Sequence, residues 1–459
     1  MRPADLPVIG RWLRRTPRRG VVVLMSCALV LVSMTGAFGA LAVFEHARPQ
    51  SDGTAITSYG WHVTPAGQQT TVGERPYGMA LSPDGRWLVV SNDGVAVQSV
   101  MLVEASTGQV RDTISYPAPE AVFLGVGFSP DSSRAYVSGG VNDKVRVYDL
   151  AGGQLHELNP LRLASGAQTP SFAGGLAVAR DGRSVWVAGN LTNSVSVLDT
   201  ASGAEHRIAL SSRTCPVDDQ GFDSSNGRDC LFPYTVVLST GGKTAYVSDW
   251  GQDTVSVIDV ASGKVRGTIK VGTHPSAMTL SKGGDRLYVT VTDGDSIAAV
   301  DTRSDRLVRT FSVSPYPGAH VGSQPNALAL SPDGQTLYTA NAGNNDLDVI
   351  RLGGSGQPDK VLGHIPTGWY PSAVAVAPNG GRLFVANARG LGAGPNPKGP
   401  NPEKSPESTA DQYVGSMIKG TVSSIATPDA ATPPGGPALA HQARDLRRQR
   451  EPHLRPGAR

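Results

Sequence analysis

The chain has 459 residues, with 41 Lys and Arg against 38 Asp and Glu, 55 Gly and 34 Pro. Helix formers do not dominate, and the abundance of Gly, Val, Ser and Thr favours an all-β protein with many turns. The net charge of +3 is unevenly spread: residues 1–20 carry a net +5 and residues 430–459 a net +4, leaving the body at −6, which excludes a nucleic-acid surface.

The first element in chain order is a membrane-targeting segment. Residues 1–20 are basic and expected on the cytoplasmic side. Val21 to Phe44 is an uncharged apolar run of 24 residues, long enough for a helix that crosses a bilayer. Positive charge ahead of it predicts an exported body. Small residues at Ala40-Leu41-Ala42 offer a signal-peptidase site, so an anchor and a cleaved signal both fit. Residues 45–58 read as a linker, and 59–428 as the folded body.

The body is a repeat, the feature to seek before any other. Its copies begin PYGMALSPDGRWLVVSND at Pro76, LGVGFSPDSSRAYVSGG at Leu124 and GGLAVARDGRSVWVAGN at Gly174. They continue with PYTVVLSTGGKTAYVSD at Pro233, PSAMTLSKGGDRLYVTVTD at Pro275, PNALALSPDGQTLYTAN at Pro325 and PSAVAVAPNGGRLFVAN at Pro371. Alternation in ALALS and TLYTAN is strand periodicity. The Pro-Asp-Gly between them makes a tight turn, Pro setting φ and Gly supplying a positive one. A third strand (TVSVIDVASG from Thr254) and a fourth (KVRGTIKVG from Lys264) complete the unit. Four antiparallel strands, seven times over, predict a seven-bladed β-propeller.

Between the third and fourth copies, Cys215 and Cys230 bracket a polar loop. In an oxidising compartment they are expected to form a disulfide. In the seventh copy, GLGAGPNPKGPNPEKSP (Gly390 to Pro406) is too rich in Gly and Pro for a helix or central strand. It resembles a domain linker until the strands are counted. The seventh copy has a third strand at Gly420–Ala426 but no fourth, whereas Gly67–Gly73 is an orphan fourth strand ahead of the first copy. The economical solution is closure of the ring by the N-terminal strand, with the Gly/Pro run inside blade 7. Residues 429–459 read as a disordered basic tail.

The units LYTAN, YVSD, LYVT and AYVSGG, each after an SPDG-type turn, resemble the YVTN family of bacterial β-propellers over about residues 60–428. The resemblance implies an exported propeller, similar in fold to lactonase-like propellers. ANARGLGAGPNPKGPNP followed by DQYVGSMIKGTVSSIATPD is similar to the propeller half of a two-part family that continues into a phosphoesterase domain. That resemblance implies a separate phosphoesterase as a partner, or the propeller half of a truncated protein.

Propeller geometry directs the search for a site to the face where the blade-to-blade loops and the second-to-third-strand loops emerge. Expected ligand-binding residues there are Arg75, Tyr77, Tyr234, His274, Gln324, Asn326 and Tyr370 at the inner-strand entries. Asp249, Asn341 and Asn387, with Asn92, Asn190 and Asp293, end the second strands. Trp250 and Trp369 lie nearby. Such a ring suits a protein, peptide or carbohydrate ligand, or a divalent metal in the channel. No GxSxG, HExxH or P-loop is present, and no catalytic residue is assigned. Two functions follow: an envelope binding or scaffolding module, and a lactonase-like hydrolase.

Overall fold

The computed structural model describes residues 48–57, 60, 62–164, 170–213, 215, 230–353, 357–393 and 417–428. The expected N-terminal helix, the tail, most of the Gly/Pro run and the loop between the two cysteines lie outside these. Among the described residues, no helix is long and apolar enough to cross a membrane.

Seven antiparallel sheets of strands follow one another. Blade 1 comprises Pro76–Leu81, Trp87–Asn92, Gln98–Glu104 and Val110–Tyr116; blade 3 comprises Ala173–Val178, Ser184–Gly189, Ser194–Asp199 and Glu205–Ala209. Blade 4 holds Pro233–Leu238, Thr244–Asp249, Thr254–Asp259 and Lys264–Lys270, and blade 5 holds Pro275–Leu280, Arg286–Val291, Ser296–Asp301 and Arg306–Ser312. Blade 6 is built from Pro325–Leu330, Thr336–Asn341, Asp346–Arg351 and Lys360–Pro366. Blade 2 is the irregular one. Its inner strand is only Val126–Phe128, and Arg134–Ser138 and Lys144–Asp149 follow it. The short segments His156–Glu157 and Leu161–Arg162 share the outer edge.

Side chains of the repeat lock its turns. In the first turn of blade 1, the Ser82 hydroxyl donates to Asp84 (2.5 Å) and accepts from the Trp87 amide (2.9 Å), while Asp84 accepts from the Arg86 amide (3.0 Å). Gly85 supplies the left-handed residue, φ 75°. The same arrangement recurs at Ser129/Asp131 and Ser331/Asp333. The Asp-x-x-Ser turn after the third strand works alike: Asp199 and Asp259 each accept from the amide and hydroxyl of the serine three residues on.

Blade 7 closes the ring as expected. Trp369–Val376, Arg382–Gly390 and Lys419–Ala426 are followed outward by Gln68–Glu74, with Thr421 opposite Thr71 and Ser424 opposite Gln68. The Gln69 side-chain carbonyl accepts from Thr421 (3.2 Å) and Ser423 (2.8 Å), and Glu74 pairs with Lys419 at 3.0 Å. On the inner side of the seam, the Ser372 hydroxyl donates to the Pro76 carbonyl at 2.5 Å. The core lies between blades: Val72, Leu88, Val90, Phe384, Ala386 and Val422 form one such layer across blades 7 and 1.

Cys215 and Cys230 form a disulfide. The expected linker contains structure: Arg48–Pro49, Ala55–Ile56 and His62–Val63 form a three-stranded sheet. Ala55 and Val63 bury against Trp369, which gives this short segment the apolar contact that a free linker lacks.

Candidate functional site

Six of the seven entries to the inner strands share one device. Arg75, Phe172, Phe232, His274, Gln324 and Tyr370 each take a left-handed conformation, φ 48° to 61°. A non-glycine residue holds that conformation only when its surroundings enforce it. For all of these but Arg75 the enforcement comes from the turn between the second and third strands of the preceding blade, where Asp143, Asn193, Asp253, Asp295 and Asn345 are themselves left-handed. The side-chain oxygen of each accepts an amide from the next entry: Phe172 (2.9 Å), Leu231 (2.8 Å), His274 (3.2 Å), Gln324 (3.1 Å) and Tyr370 (2.9 Å) respectively. The entry carbonyls of Arg75, Phe172, Phe232, His274 and Gln324 then accept from Asp93, Asn190, Trp250, Thr292 and Ala342. The channel mouth is therefore a rigid collar of backbone.

Aromatic side chains line this collar. The Tyr77 and Phe123 rings stack at 6.2 Å between centroids, and Phe123 meets Phe172 edge-on at 5.1 Å. Phe232 meets Trp250 edge-on at 6.3 Å, and Trp250 stacks on His274 at 3.9 Å. His274 Nδ1 is 2.5 Å from Asp293, which orients the ring. Arg389 lies over both Trp369 and Tyr370, and Arg75 over Tyr77.

Tyrosines from three separate blades converge inside the collar. Tyr77, Tyr234 and Tyr370 start the inner strands of blades 1, 4 and 7, yet their phenols interact with one another. Burial, then Tyr370, pushes Tyr77 up to about 12 despite Arg75. Burial, reinforced by Tyr77 and Tyr370, raises Tyr234 well above the usual phenol range. Blades 1 and 4 stand across the ring from each other, so the Tyr77 and Tyr234 phenols narrow the channel beneath its mouth. Beside them, burial pushes Asp93 up to about 7, with Arg75 pulling the other way.

The expected residues thus divide. Arg75, Tyr77, Tyr234, His274 and Tyr370 meet at the mouth, with Trp250, Trp369 and Asp293. Gln324 is an exposed entry residue, and Asn326 is half-buried with no protein partner for its Oδ1. Asp249, Asn341 and Asn387, like Asn92, are not on the rim, which corrects that expectation: all four are fully buried within their sheets. Each bonds outward to its third strand, as Asp249 does to Thr254 (2.9 Å) and Ser256 (2.7 Å), and Asn387 to Thr421 (3.1 Å) and Ser423 (2.8 Å). The pleat explains this. Asn92 is two and four residues beyond Val90 and Leu88, so it shares their face toward the neighbouring blade. Asn190 bonds the Pro233 carbonyl of the next blade (3.1 Å). Sequence reasoning missed Asp93, Phe123, Phe172, Phe232 and Arg389.

The loops on this face are also apolar. Val95, Val97, Val141, Trp250 and Val321 account for five of the eight large hydrophobic residues exposed among those described, and all belong to second-to-third-strand or blade-to-blade loops. On the opposite face, a cleft of about 630 Å³ opens between blades 3 and 4, with Trp186, Ile208 and Leu238 in its walls and Arg180, Asp181 and His206 at its edge. Among the described residues, no group of three metal-ligating side chains lies at the mouth. The one group that qualifies belongs to the third and fourth strands of blade 6.

Residues 233–390 match a family model described as a lactonase seven-bladed β-propeller. The seven-bladed beta-propeller protein Rv1057 of Mycobacterium tuberculosis is 33% identical over 132 residues, 28% of this chain and 30% of that protein. The match thus spans less than a third of the curated relative. Among solved structures, Kuenenia stuttgartiensis hydrazine synthase aligns with a TM-score of 0.55 at 20% identity, covering 70% of this chain and 94% of that one. A catalytically inactive virginiamycin B lyase from Staphylococcus aureus, solved with quinupristin, aligns at 0.52 and 14% identity over 78% of this chain and 98% of its own. At these identities the likeness establishes the propeller fold alone.

Proposed function

We propose that this protein is an exported binding module that takes a protein or peptide ligand on the mouth face of its propeller. The observation that carries the reading is the concentration on that face of exposed Val95, Val97, Val141, Trp250 and Val321 around the Arg75, Arg389 and His274 collar. Exposed apolar groups gathered on one face mark interaction surfaces, and Trp and Arg are the residues that most often anchor them. The tyrosine-narrowed channel supports capture at the mouth over threading through the ring. The Cys215–Cys230 disulfide and the basic–apolar N-terminal sequence support export.

A peptide-display library panned on the immobilised protein tests the proposal. Enriched peptides are expected to quench Trp250 fluorescence and to lose affinity by roughly thirtyfold in Trp250→Ala or Arg75→Ala, about 2 kcal/mol for an anchor residue. Thermal midpoints should fall only slightly, since both side chains are at the surface. Failure to enrich any peptide, or equal affinity in both variants, would count against it.

A second reading, a lactonase-like hydrolase, is favoured by the family match over residues 233–390 and by Asp93. A carboxyl held to about 7 beside Arg75 is poised as a general base near neutrality. In that case lactone turnover should rise with pH through about 7, as Asp93 loses its proton, and fall at least a hundredfold in Asp93→Asn. A lactone panel without turnover removes this reading and leaves the first untouched.

A further inference from the structure

Blade 6 carries a polar pocket in a face that should be apolar. Along its second strand Leu337, Thr339 and Asn341 alternate onto one face, and the register sets them opposite Ile350, Asp348 and Asp346. His364 of the outer strand lies opposite Asp348. Leu337 and Ile350 pack with Tyr288, Ile297 and Val313, so this face looks toward blade 5. One turn of the pleat further along, the apolar layer gives way to Thr339, Asn341, Asp346, Asp348 and His364.

The internal repeat shows how unusual this is. At the position of Thr339 the other six blades place Val90, Val137, Val187, Val247, Val289 and Val385. At the position of Asp348 they place Met101, Arg146, Ser196, Ser256, Ala298 and Ser423, none of them a carboxylate. Blade 6 alone has exchanged a buried valine for a hydroxyl and set two carboxylates and an imidazole next to it.

Three oxygens in this pocket are left over. Thr339 Oγ1, Asn341 Oδ1 and Asp348 Oδ2 are buried and have no hydrogen-bond partner. Thr339, Asn341 and Asp348 are each 0% exposed. Asn341 donates its amide to Asp346 at 2.9 Å, which leaves its carbonyl as a free acceptor at the same locus. Unpaired buried oxygens are costly, and an unpaired carboxylate oxygen most of all. Unpaired acceptors on directly paired strand positions, Thr339 opposite Asp348 and Asn341 opposite Asp346, suit a cation.

We propose that Asp346, Asp348 and His364 bind one divalent transition-metal ion, with Asn341 Oδ1 and Thr339 Oγ1 completing its shell. The ligand atoms of the three residues all lie within 4.8 Å of one another, with His364 Nδ1 2.6 Å from Asp348 and 3.8 Å from Asp346. An imidazole among carboxylate, amide and hydroxyl oxygens suits Zn²⁺ or Mn²⁺, whereas Ca²⁺ and Mg²⁺ take all-oxygen sets. The side chains of His364 and Asp346 retain 30% and 16% exposure, which gives the ion a way in. Because the ligands come from three strands of blade 6 and the pocket faces blade 5, the ion would tie the outer half of blade 6 to its core. It is distinct from the channel.

The test uses the tag-free chain, stripped with a chelator and dialysed against micromolar ZnCl₂ or MnCl₂. Elemental analysis should find about one ion per chain, and the thermal midpoint should rise with free metal concentration. His364→Gln, at a partly exposed position, should fold and lower metal affinity at least tenfold, abolishing the metal-dependent midpoint shift. Asp348→Asn should do the same. If Asp348→Asn fails to fold, His364→Gln together with Mn²⁺ electron paramagnetic resonance on the unaltered chain decides the matter. Wild-type protein that retains neither ion and shows no midpoint shift would overturn the proposal. So would a His364→Gln variant that binds as wild type does.

Discussion

A chain beginning at Pro76 is expected to lose cooperative folding, whereas a chain beginning at Gly67 keeps it. The seven residues between Gln68 and Glu74 are the outer strand of the last blade. Val72 is 3% exposed and packs into the layer shared by blades 7 and 1, and its burial stabilises by about 2 kcal/mol. The ladder to Lys419–Ala426 adds several backbone hydrogen bonds of about 1 kcal/mol each. Gln69 satisfies the hydroxyls of Thr421 and Ser423, and Glu74 holds Lys419. The loss is on the order of 5–10 kcal/mol, comparable to the whole stability of a typical domain. It also leaves Lys419–Ala426 as an unpaired edge, a template for aggregation. Urea unfolding followed by circular dichroism distinguishes the two truncations. Equal midpoints would show that the strand is dispensable. Val72→Ala supplies a milder version, expected to cost about 2 kcal/mol.

Asp249→Asn is expected to stabilise the protein near pH 8 and to be close to neutral near pH 4. Asp249 is fully buried; burial pushes its carboxyl up to about 7, against the opposing pull of the Ser256 and Thr254 hydroxyls. In the unfolded chain the same group ionises near pH 4. Below pH 4 it is protonated in both states and costs nothing. Between about 4 and 7 the unfolded chain gives up the proton more readily, so stability falls as pH rises and levels off above that window. At pH 8 the penalty is on the order of 2–4 kcal/mol. Three other blades already carry the remedy at this position: Asn92, Asn341 and Asn387. Asn387 donates to Thr421 and Ser423, the counterparts of Thr254 and Ser256, so the hydroxyls need only turn to accept. For a body of this size the gain corresponds to about 2–5 °C in thermal midpoint at pH 8. A variant less stable than wild type at both pH values would refute the argument.

The fold was legible because its information is local. Each Ser-Pro-Asp-Gly turn folds on its own hydrogen bonds, from Ser82 to Trp87 and again from Ser331 to Thr336, and the surplus strand at Gly67–Gly73 announced the closure. The segment 48–56 escaped notice because strands of two residues leave no periodicity to read. At the mouth, Arg75, Tyr77, Tyr234, His274 and Tyr370 were legible from their place in the repeat. Asn92, Asp249, Asn341 and Asn387 were misplaced by ignoring pleat parity, which puts them with Leu88 and Val90 and not with the channel. Phe123, Phe172 and Phe232 were passed over because two of the three entries lack the proline that marks the others. His364 and Asp348 are 16 residues apart, and only the pairing register of two strands brings them together. No ligand-spacing rule contains that distance.

The closing strand also sets how the ring responds to load. Gln68 faces Ser424 at one end of the ladder and Glu74 faces Lys419 at the other, so the chain enters and leaves blade 7 at the same end. Tension applied between residues 67 and 428 therefore meets the hydrogen bonds one after another, like a zipper drawn from its open end, and not all together in shear. The other six blades are each a continuous piece of chain and carry none of that force directly. Under traction the propeller should open at one designated seam, and at far lower force than its thermal stability would suggest.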